Sequence, residues 1–269
     1  MLETRHIALD ELPALQQLPP ITLEEMDSVR LLNRTDTKFL TDEQTLVGIL
    51  QDAVAAGYRA LVTDGSKIAW YDTLYFDTPE LGMFLDHHNR RLVRQKVRTR
   101  VYVASGQCFL EIKRKNNHGR TKKKRTGIPV ADFKDFSGNA AACEYLAGHS
   151  NYTADGLSPS LETVFRRITL VNPAMTERLT IDSCLGFKNI RNGAESSLAN
   201  GVVIELKQDG RADSPMRGIL LDHRVKPIRV SKYCVGVTLT DHVVKSGRFK
   251  AKIRMIEKQI NNKISTDLC

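Results

Sequence analysis

The chain lacks the usual supports of a secreted or membrane-spanning protein. Its five cysteines, Cys108, Cys143, Cys184, Cys234 and Cys269, are odd in number and scattered without a close pair, which argues against both a disulfide framework and a zinc site. No apolar run approaches the roughly 20 residues needed to cross a bilayer, and the opening Met1-Leu2-Glu3-Thr4-Arg5-His6 has no apolar signal core. A reducing cytoplasm is the expected compartment, with no membrane span. There is no internal repeat and no low-complexity tract to mark a firm boundary.

What the chain does have is length, apolar content and positive charge. With 269 residues and 41% hydrophobic content it can bury a sizeable core, and one large domain is expected. The 40 lysines and arginines outnumber the 31 acidic residues, for a net +9. That balance favours an anionic partner: nucleic acid, an acidic membrane surface or a phosphate-rich small molecule.

The placement of the charges is more informative than their number. From Arg94 to Val103 the chain alternates, so Lys96, Arg98 and Arg100 share one strand face while Val97, Thr99, Val101 and Val103 share the other. Glu111, Lys113 and Lys115 repeat the pattern opposite Leu110 and Ile112, and Asn116-Asn117-His118-Gly119 reads as a turn into the basic run Lys122 to Arg125. The same two-faced strand recurs with Asp36 and Lys38, with Arg178, Thr180 and Asp182, and with Glu205 and Lys207. Like charges crowded on one face repel, so something anionic is expected to offset them. The carboxylates Asp36, Glu111, Asp182 and Glu205 can pair with these cations, or two of them can hold a divalent metal bridging phosphate oxygens. The expected fold is α+β: a closed antiparallel β-barrel with a charged lumen and helices packed on its outer apolar surface. Nucleic acid is not the expected partner, because the basic residues alternate with aliphatic rather than aromatic ones and a tunnel excludes duplex.

The remaining segments read as helices and connections. Thr22 opens a helix with Leu23, Met26, Val29 and Leu32 on one face; Thr41 or Asp42 caps another that runs to about Ala56; Pro79 opens a short one over Glu80 to His88. His87-His88 reads as an exposed helix end with no third metal ligand spaced to it, and Tyr75-Phe76 as core. Ser231 to Ser246 reads as one helix. The stripe Phe249, Ile253, Ile256 and Ile260 marks an amphipathic C-terminal helix that packs on the chain or on a second copy of it, giving a homo-oligomer.

Taken in order, Asp36-Thr37-Lys38, Tyr75-Phe76-Asp77-Thr78, Lys96-Val97-Arg98-Thr99-Arg100, Glu111-Ile112-Lys113, Arg178 to Asp182, Glu205-Leu206-Lys207 and Ser231-Lys232-Tyr233 resemble the VTC domain. That family contains the polyphosphate polymerase domain of the vacuolar transporter chaperone complex and bacterial relatives, within the CYTH-like triphosphate tunnel metalloenzymes. The resemblance runs from about Asn33 to about Gly236. It implies an eight-stranded tunnel domain over 33–246, preceded by a lead-in and helix over 1–32 and followed by a C-terminal helix over 247–269, in a stand-alone bacterial-type member. It implies ATP, triphosphate or polyphosphate as ligand, and transfer of a phosphoryl group from ATP to a growing chain with manganese or magnesium. A non-catalytic polyphosphate sensor or scaffold, and an inorganic or nucleoside triphosphatase, are the alternatives. Carried over position by position, Arg98, Arg100, Lys113 and Lys232 are the expected catalytic cations. Lys38, Lys96, Lys123, Arg125, Arg167, Arg178, Lys207 and Ser231 are expected to bind phosphate, and Glu205, with Glu111, to hold the metal. Phe165 stands where the family pattern leads one to expect a tyrosine hydroxyl, and Arg229 where the polymerase has a lysine.

Overall fold

Local chemistry sets the elements in chain order, and the computed structural model describes residues 7–27, 34–210, 213–262 and 264. The lead-in forms α1 (Pro13–Gln17), β1 (Pro20–Ile21) and α2 (Leu23–Asp27). Thr22 and Glu25 cap α2 reciprocally, Thr22 Oγ1 accepting from Glu25 N at 3.2 Å and the Glu25 carboxylate accepting from Thr22 N at 2.8 Å. The expected continuation of its apolar stripe to Val29 and Leu32 lies outside the described residues. Next, β2 (Arg34–Asp42) runs directly into α3 (Glu43–Ala55), because the Asp42 carboxylate accepts Thr45 N at 2.8 Å and turns strand into helix.

After β3 (Arg59–Leu61) and β4 (Ala69–Asp77), α4 (Gly82–His88) starts later than Pro79 suggested. The cause is Asp77, which accepts hydrogen bonds from the backbone N–H groups of Met83 and Phe84 at 2.8 and 3.0 Å and so sets the first turn of α4. The expected exposed end at His87-His88 is also corrected: His88 is buried, its Nε2 3.3 Å from the backbone N–H of Arg248 and its ring against Phe249. The basic strands follow as β5 (Arg94–Tyr102), β6 (Gln107–Lys115) and β7 (Thr121–Ile128). Then come α5 (Ala140–His149), β8 (Ser158–Val171), β9 (Glu177–Asn189), β10 (Glu195–Ser197), β11 (Gly201–Asp209) and α6 (Pro215–Asp222). The helix expected over Ser231 to Ser246 is shorter: α7 (Lys232–Thr240) stops where the Asp241 side chain accepts Val243 N and Val244 N, and the C-terminal helix α8 (Gly247–Gln259) begins beyond.

The strands make one large sheet with the main path β2-β11-β9-β8-β4-β5-β6-β7, antiparallel throughout. The short strands β3 and β10 attach to β8 and β9, and β1 pairs in parallel with β3. The sheet curls strongly. Glu205 of β11 and Lys113 of β6 interact electrostatically, although five strand spacings would hold them roughly 24 Å apart in a flat sheet. The expected closed barrel is not found: among the described residues β2 and β7 do not pair. On the β2 side the edge is already taken, with Ile228 N donating to Lys38 O at 2.7 Å and Pro227 bridging Phe39. On the other, β7 is an exposed, lysine-rich edge, a composition that discourages pairing.

Packing divides the two faces. On the convex face α1, α3 and α6 cover Phe39, Ile181, Ile204 and Leu206, while α5 covers Leu110 and Ile112. The expectation that helices lie only outside needs correction, because α7 and α8 sit on the concave side against Leu40, Leu161, Phe187 and Val203. The stripe Phe249, Ile253, Ile256 and Ile260 is buried in this chain's own core. No helix among the described residues is long and apolar enough to cross a membrane.

Gly236 lets α7 approach this closely. A Cβ there would lie 2.4 Å from Leu161 Cδ2 and 2.7 Å from Phe187 Cδ1. Overpacking of about 1–3 kcal/mol should exceed the helix-propensity gain of up to about 1 kcal/mol. Gly236→Ala is therefore expected to lower Tm, whereas Gly218→Ala in α6, where a Cβ meets open space, should leave Tm unchanged or raise it. Thermal melting of the two variants checks the pair.

Candidate functional site

The strand register brings the alternating charges onto the concave face. Lys38 pairs across to Glu205, Lys207 to Arg178, and Asp182 to Arg167. Further along, Tyr75 faces Arg98, Arg98 faces Glu111, Lys96 faces Lys113, and Lys113 faces Lys123. From the concave-side helix α7, Lys232 reaches the same region, and Ser231 at its N-cap accepts a hydrogen bond from Lys96 Nζ at 2.5 Å.

Three carboxylates organise these cations, in two different ways. Asp182 takes a bidentate fork from Arg167, with Nε at 2.6 Å from Oδ1 and Nη2 at 2.8 Å from Oδ2, and is also bound by Lys232. Glu111 receives Arg98 Nε and Nη2 at 2.7 and 2.5 Å and is closed off by Lys123. Burial alone would raise both acids, but Arg167 with Lys232, and Arg98 with Arg100 and Lys123, hold them well below the usual carboxylate range. Glu205 differs: its lysines, Lys38 and Lys207, stand off at 3.5 and 3.6 Å, and its side chain is 19% exposed against 0% for Glu111 and 3% for Asp182. Glu205 is ionised and only loosely held.

The cations are less well compensated than the acids. Arg100 is buried, donates to Thr73 Oγ1 at 3.0 Å and lies over Tyr71 and Phe165, at 5.4 and 5.7 Å from the ring centroids. Burial, then Arg98, draws its pKa down to about 10. Lys113 is pushed to about 7 by burial and by Arg98, against the pull of Glu205. Lys123 falls to about 8, chiefly through burial. The Tyr75 hydroxyl accepts from Arg98 Nη1 at 3.1 Å; burial would raise its pKa, but Arg98, Lys96, Arg100 and Lys232 bring it to about 8.

Nearly all the sequence candidates share this face, with Arg125 at its margin, where it stacks on Phe109 at 4.6 Å and remains exposed. The aromatic members Tyr71 and Tyr75 and the hydroxyl of Thr73 were missed as site residues. Their signal was the alternation Tyr71-x-Thr73-x-Tyr75, in register with the arginines of β5. Asp182, named only as one of four face carboxylates, is held by an arginine and a lysine, as Glu111 is.

The VTC domain family matches residues 33–240. The chain belongs to the VTC domain family. No curated protein matches it. Among solved structures, this VTC chain is similar to a putative adenylate cyclase from Vibrio parahaemolyticus, with 10% identity, a TM-score of 0.44, and 75% of this chain and 97% of that one covered. It is also similar to a putative adenylyl cyclase from Hippeastrum described as having a dominant triphosphatase activity, with 14% identity, TM-score 0.45 and coverage of 76% and 94%. A conserved hypothetical protein from Pyrococcus furiosus gives 13% identity, TM-score 0.42 and coverage of 74% and 99%. Membership rests on the VTC match. Among the described residues no three His, Cys, Asp or Glu side chains form a cluster suited to a metal. A divalent ion on this face would draw most of its oxygens from the ligand or water. Of the two expected metal ligands, Glu205 is the more open, and Glu111 is enclosed between Arg98 and Lys123.

Removing the Asp182 carboxylate should expose its structural share. Asp182→Asn leaves Arg167 and Lys232 buried without their counter-charge, at an expected cost of about 3–5 kcal/mol at neutral pH. Because the folded pKa of Asp182 is depressed, its stabilisation is fully present above the unfolded carboxylate pKa of about 4 and is lost as pH falls below it. Urea unfolding between neutral pH and pH 3 should show the variant's deficit shrinking on acidification.

Proposed function

We propose that this VTC chain binds the triphosphate of ATP, or a polyphosphate chain, along its concave cationic face and transfers the terminal phosphoryl group of ATP to polyphosphate. The observation that carries the reading is the inequality among the three carboxylates: two are consumed in holding arginines, while Glu205 is charged, partly open and loosely held among Lys38, Lys207 and Lys113. A face built only for ion pairing has no need of such an acid.

Phosphoryl transfer asks the protein mainly to position phosphates and to balance charge shifting onto their oxygens. Arg98 and Arg167 are oriented by their carboxylate forks, so their remaining N–H groups are fixed before ligand arrives. Arg100 is buried and forms no ion pair among the described residues, which leaves its charge available to an anion. Lys113 and Lys232 supply point charges from opposite sides of the curl. The transferred phosphorus exchanges its bond to the β-phosphate oxygen of ATP for one to the terminal oxygen of the acceptor chain, releasing ADP. When bound at Glu205, manganese or magnesium would neutralise phosphate oxygens and act as a Lewis acid. Phe165, ringed by Lys232 and Arg167 at 4.7 and 5.2 Å, offers no hydroxyl. This favours a second reading, in which the face binds polyphosphate without turning it over.

Glu205→Gln separates the two. If Glu205 holds the ion, metal-dependent release of ADP and of acid-labile polymer should collapse, while tripolyphosphate affinity without metal holds or rises, since a repulsive carboxylate has gone. Retention of metal-dependent turnover would make Glu205 a structural partner; absence of turnover in the parent protein, with binding intact, would leave the binder.

Binding should also be linked to protons. With its pKa at about 7, Lys113 is fully charged only below that pH, and an anion beside it must draw a proton on above it. Tripolyphosphate affinity is expected to fall as pH rises from 7 to 9. Calorimetry in buffers of different ionisation enthalpy should record proton uptake at pH 8, and Lys113→Met should reduce it, the remainder coming from Lys123 and Tyr75, which titrate at about 8.

A further inference from the structure

The cationic surface does not stop at the lumen. Two residues outward from the pair Lys96 and Lys113, the next same-face partners on β5 and β6 are Arg94 and Lys115. From the other side, Lys252 of α8 donates to the backbone carbonyl of Arg229, and it lies within the electrostatic reach of Arg229 and of Arg90 at the end of α4. Lys115 in turn senses Arg94 and Arg229. These charges converge over the half-buried His87, whose pKa is driven to about 2 by burial and then by Lys96, Arg94, Lys252 and Lys115. Among the described residues, none of Arg90, Arg94, Lys115, Arg229 and Lys252 forms an ion pair with a carboxylate. The lumen cations have Glu111, Asp182 and Glu205; this group has no counterpart to them.

Two features tie the group to the lumen. Lys96 belongs to both, since it bonds Ser231 at the concave face and acts on His87. A pocket of about 330 Å³ lined by Asp36, Thr37, Lys38, Pro227, Ile228 and Arg229 lies where Pro227 and Ile228 cover the edge of β2, so Lys38 and Arg229 border one space. Lys252 lies beyond residue 240, where the VTC match ends, and so is an addition to the matched domain.

We propose that Arg90, Arg94, Lys115 and Lys252 form a second anion-binding site that holds the part of a phosphate chain extending out of the lumen. The proposal rests on the lumen binding phosphate, and it names the ligand class more narrowly: linear polyanions longer than a triphosphate. Such a chain can contact both sets at once, and the second contact is then intramolecular, so affinity rises with length. An acidic membrane would meet Arg90 and Arg229 but could not follow the charges inward past Lys96, which favours the chain.

The test compares Arg90→Gln/Arg94→Gln/Lys252→Gln with the parent protein for binding of tripolyphosphate and of long-chain polyphosphate at low and high salt. The double variant Arg90→Gln/Arg94→Gln is the fallback should loss of the Lys252 bond lower Tm. Tripolyphosphate affinity is expected to stay within about twofold, while long-chain affinity drops about tenfold or more and depends less steeply on salt, as fewer counterions are released. Equal losses for both ligands, or none for the long chain, would overturn the proposal. So would vesicles of phosphatidylglycerol binding the parent but not the triple variant while long-chain affinity is unchanged. Failure of the parent to bind tripolyphosphate would instead strike at the lumen reading, since that ligand is too short to report on the outer site.

Discussion

Mutual repulsion among cations on one sheet face is the constraint from which the rest of this structure follows. Lysines and arginines at alternate positions on several strands can share a curled surface only if carboxylates are interleaved at the right register. Cross-strand pairing of Asp182 with Arg167, Glu111 with Arg98 and Glu205 with Lys38 does this. A slip of one residue on any of these strands would turn its charges into the apolar layer beneath the outer helices. The electrostatics thus enforce the same register as the hydrophobic alternation. The interaction also reaches beyond the sheet, because Asp182 binds Lys232 and so fixes the first residue of α7 over the concave side.

Which residues face the site was legible in the sequence, since a period of two assigns faces without knowledge of strand order. The wall positions Lys38, Lys96, Arg98, Arg100, Lys113 and Arg178 follow from parity, whereas Arg167, next to a register shift in β8, came only from the resemblance. What parity cannot convey is how far a sheet curls and what fills its two ends. Closure failed because the edge of β2 is taken by Pro227 and Ile228, a segment without strand alternation. The placement of α7 and α8 inside the curl depends on Gly236, whose missing side chain signals close approach only once its neighbours Leu161 and Phe187 are known. The His87-His88 misreading has a similar source, for the apolar partner that buries His88 is Phe249, far along the chain.

Stability and ligand chemistry are carried by the same side chains here. Arg98 and Arg167 are locked by their acids and are thus rigid before any anion arrives, whereas Lys113 and Lys123 are brought to about 7 and about 8 by burial first and by neighbouring cations second. Fixed guanidinium groups provide shape, and the lysines adjust the total charge by exchanging protons with solvent. The empty state thereby avoids part of its own repulsion. This division accounts for the survival of so dense a basic face in a folded chain.

The missing pairing between β2 and β7 bears on how a polymer would come and go. A barrel laced shut by backbone hydrogen bonds must be threaded from a free chain end, so entry and escape slow with every added unit. In this chain no backbone hydrogen bonds among the described residues join the exposed lysine-rich strand to the loop-covered edge, so lateral entry would break no strand pairing. If the proposed ligand is held here, polyanions with blocked ends, and even rings, would come within reach, and residence time would be set by the number of charges engaged rather than by the length still to be drawn through.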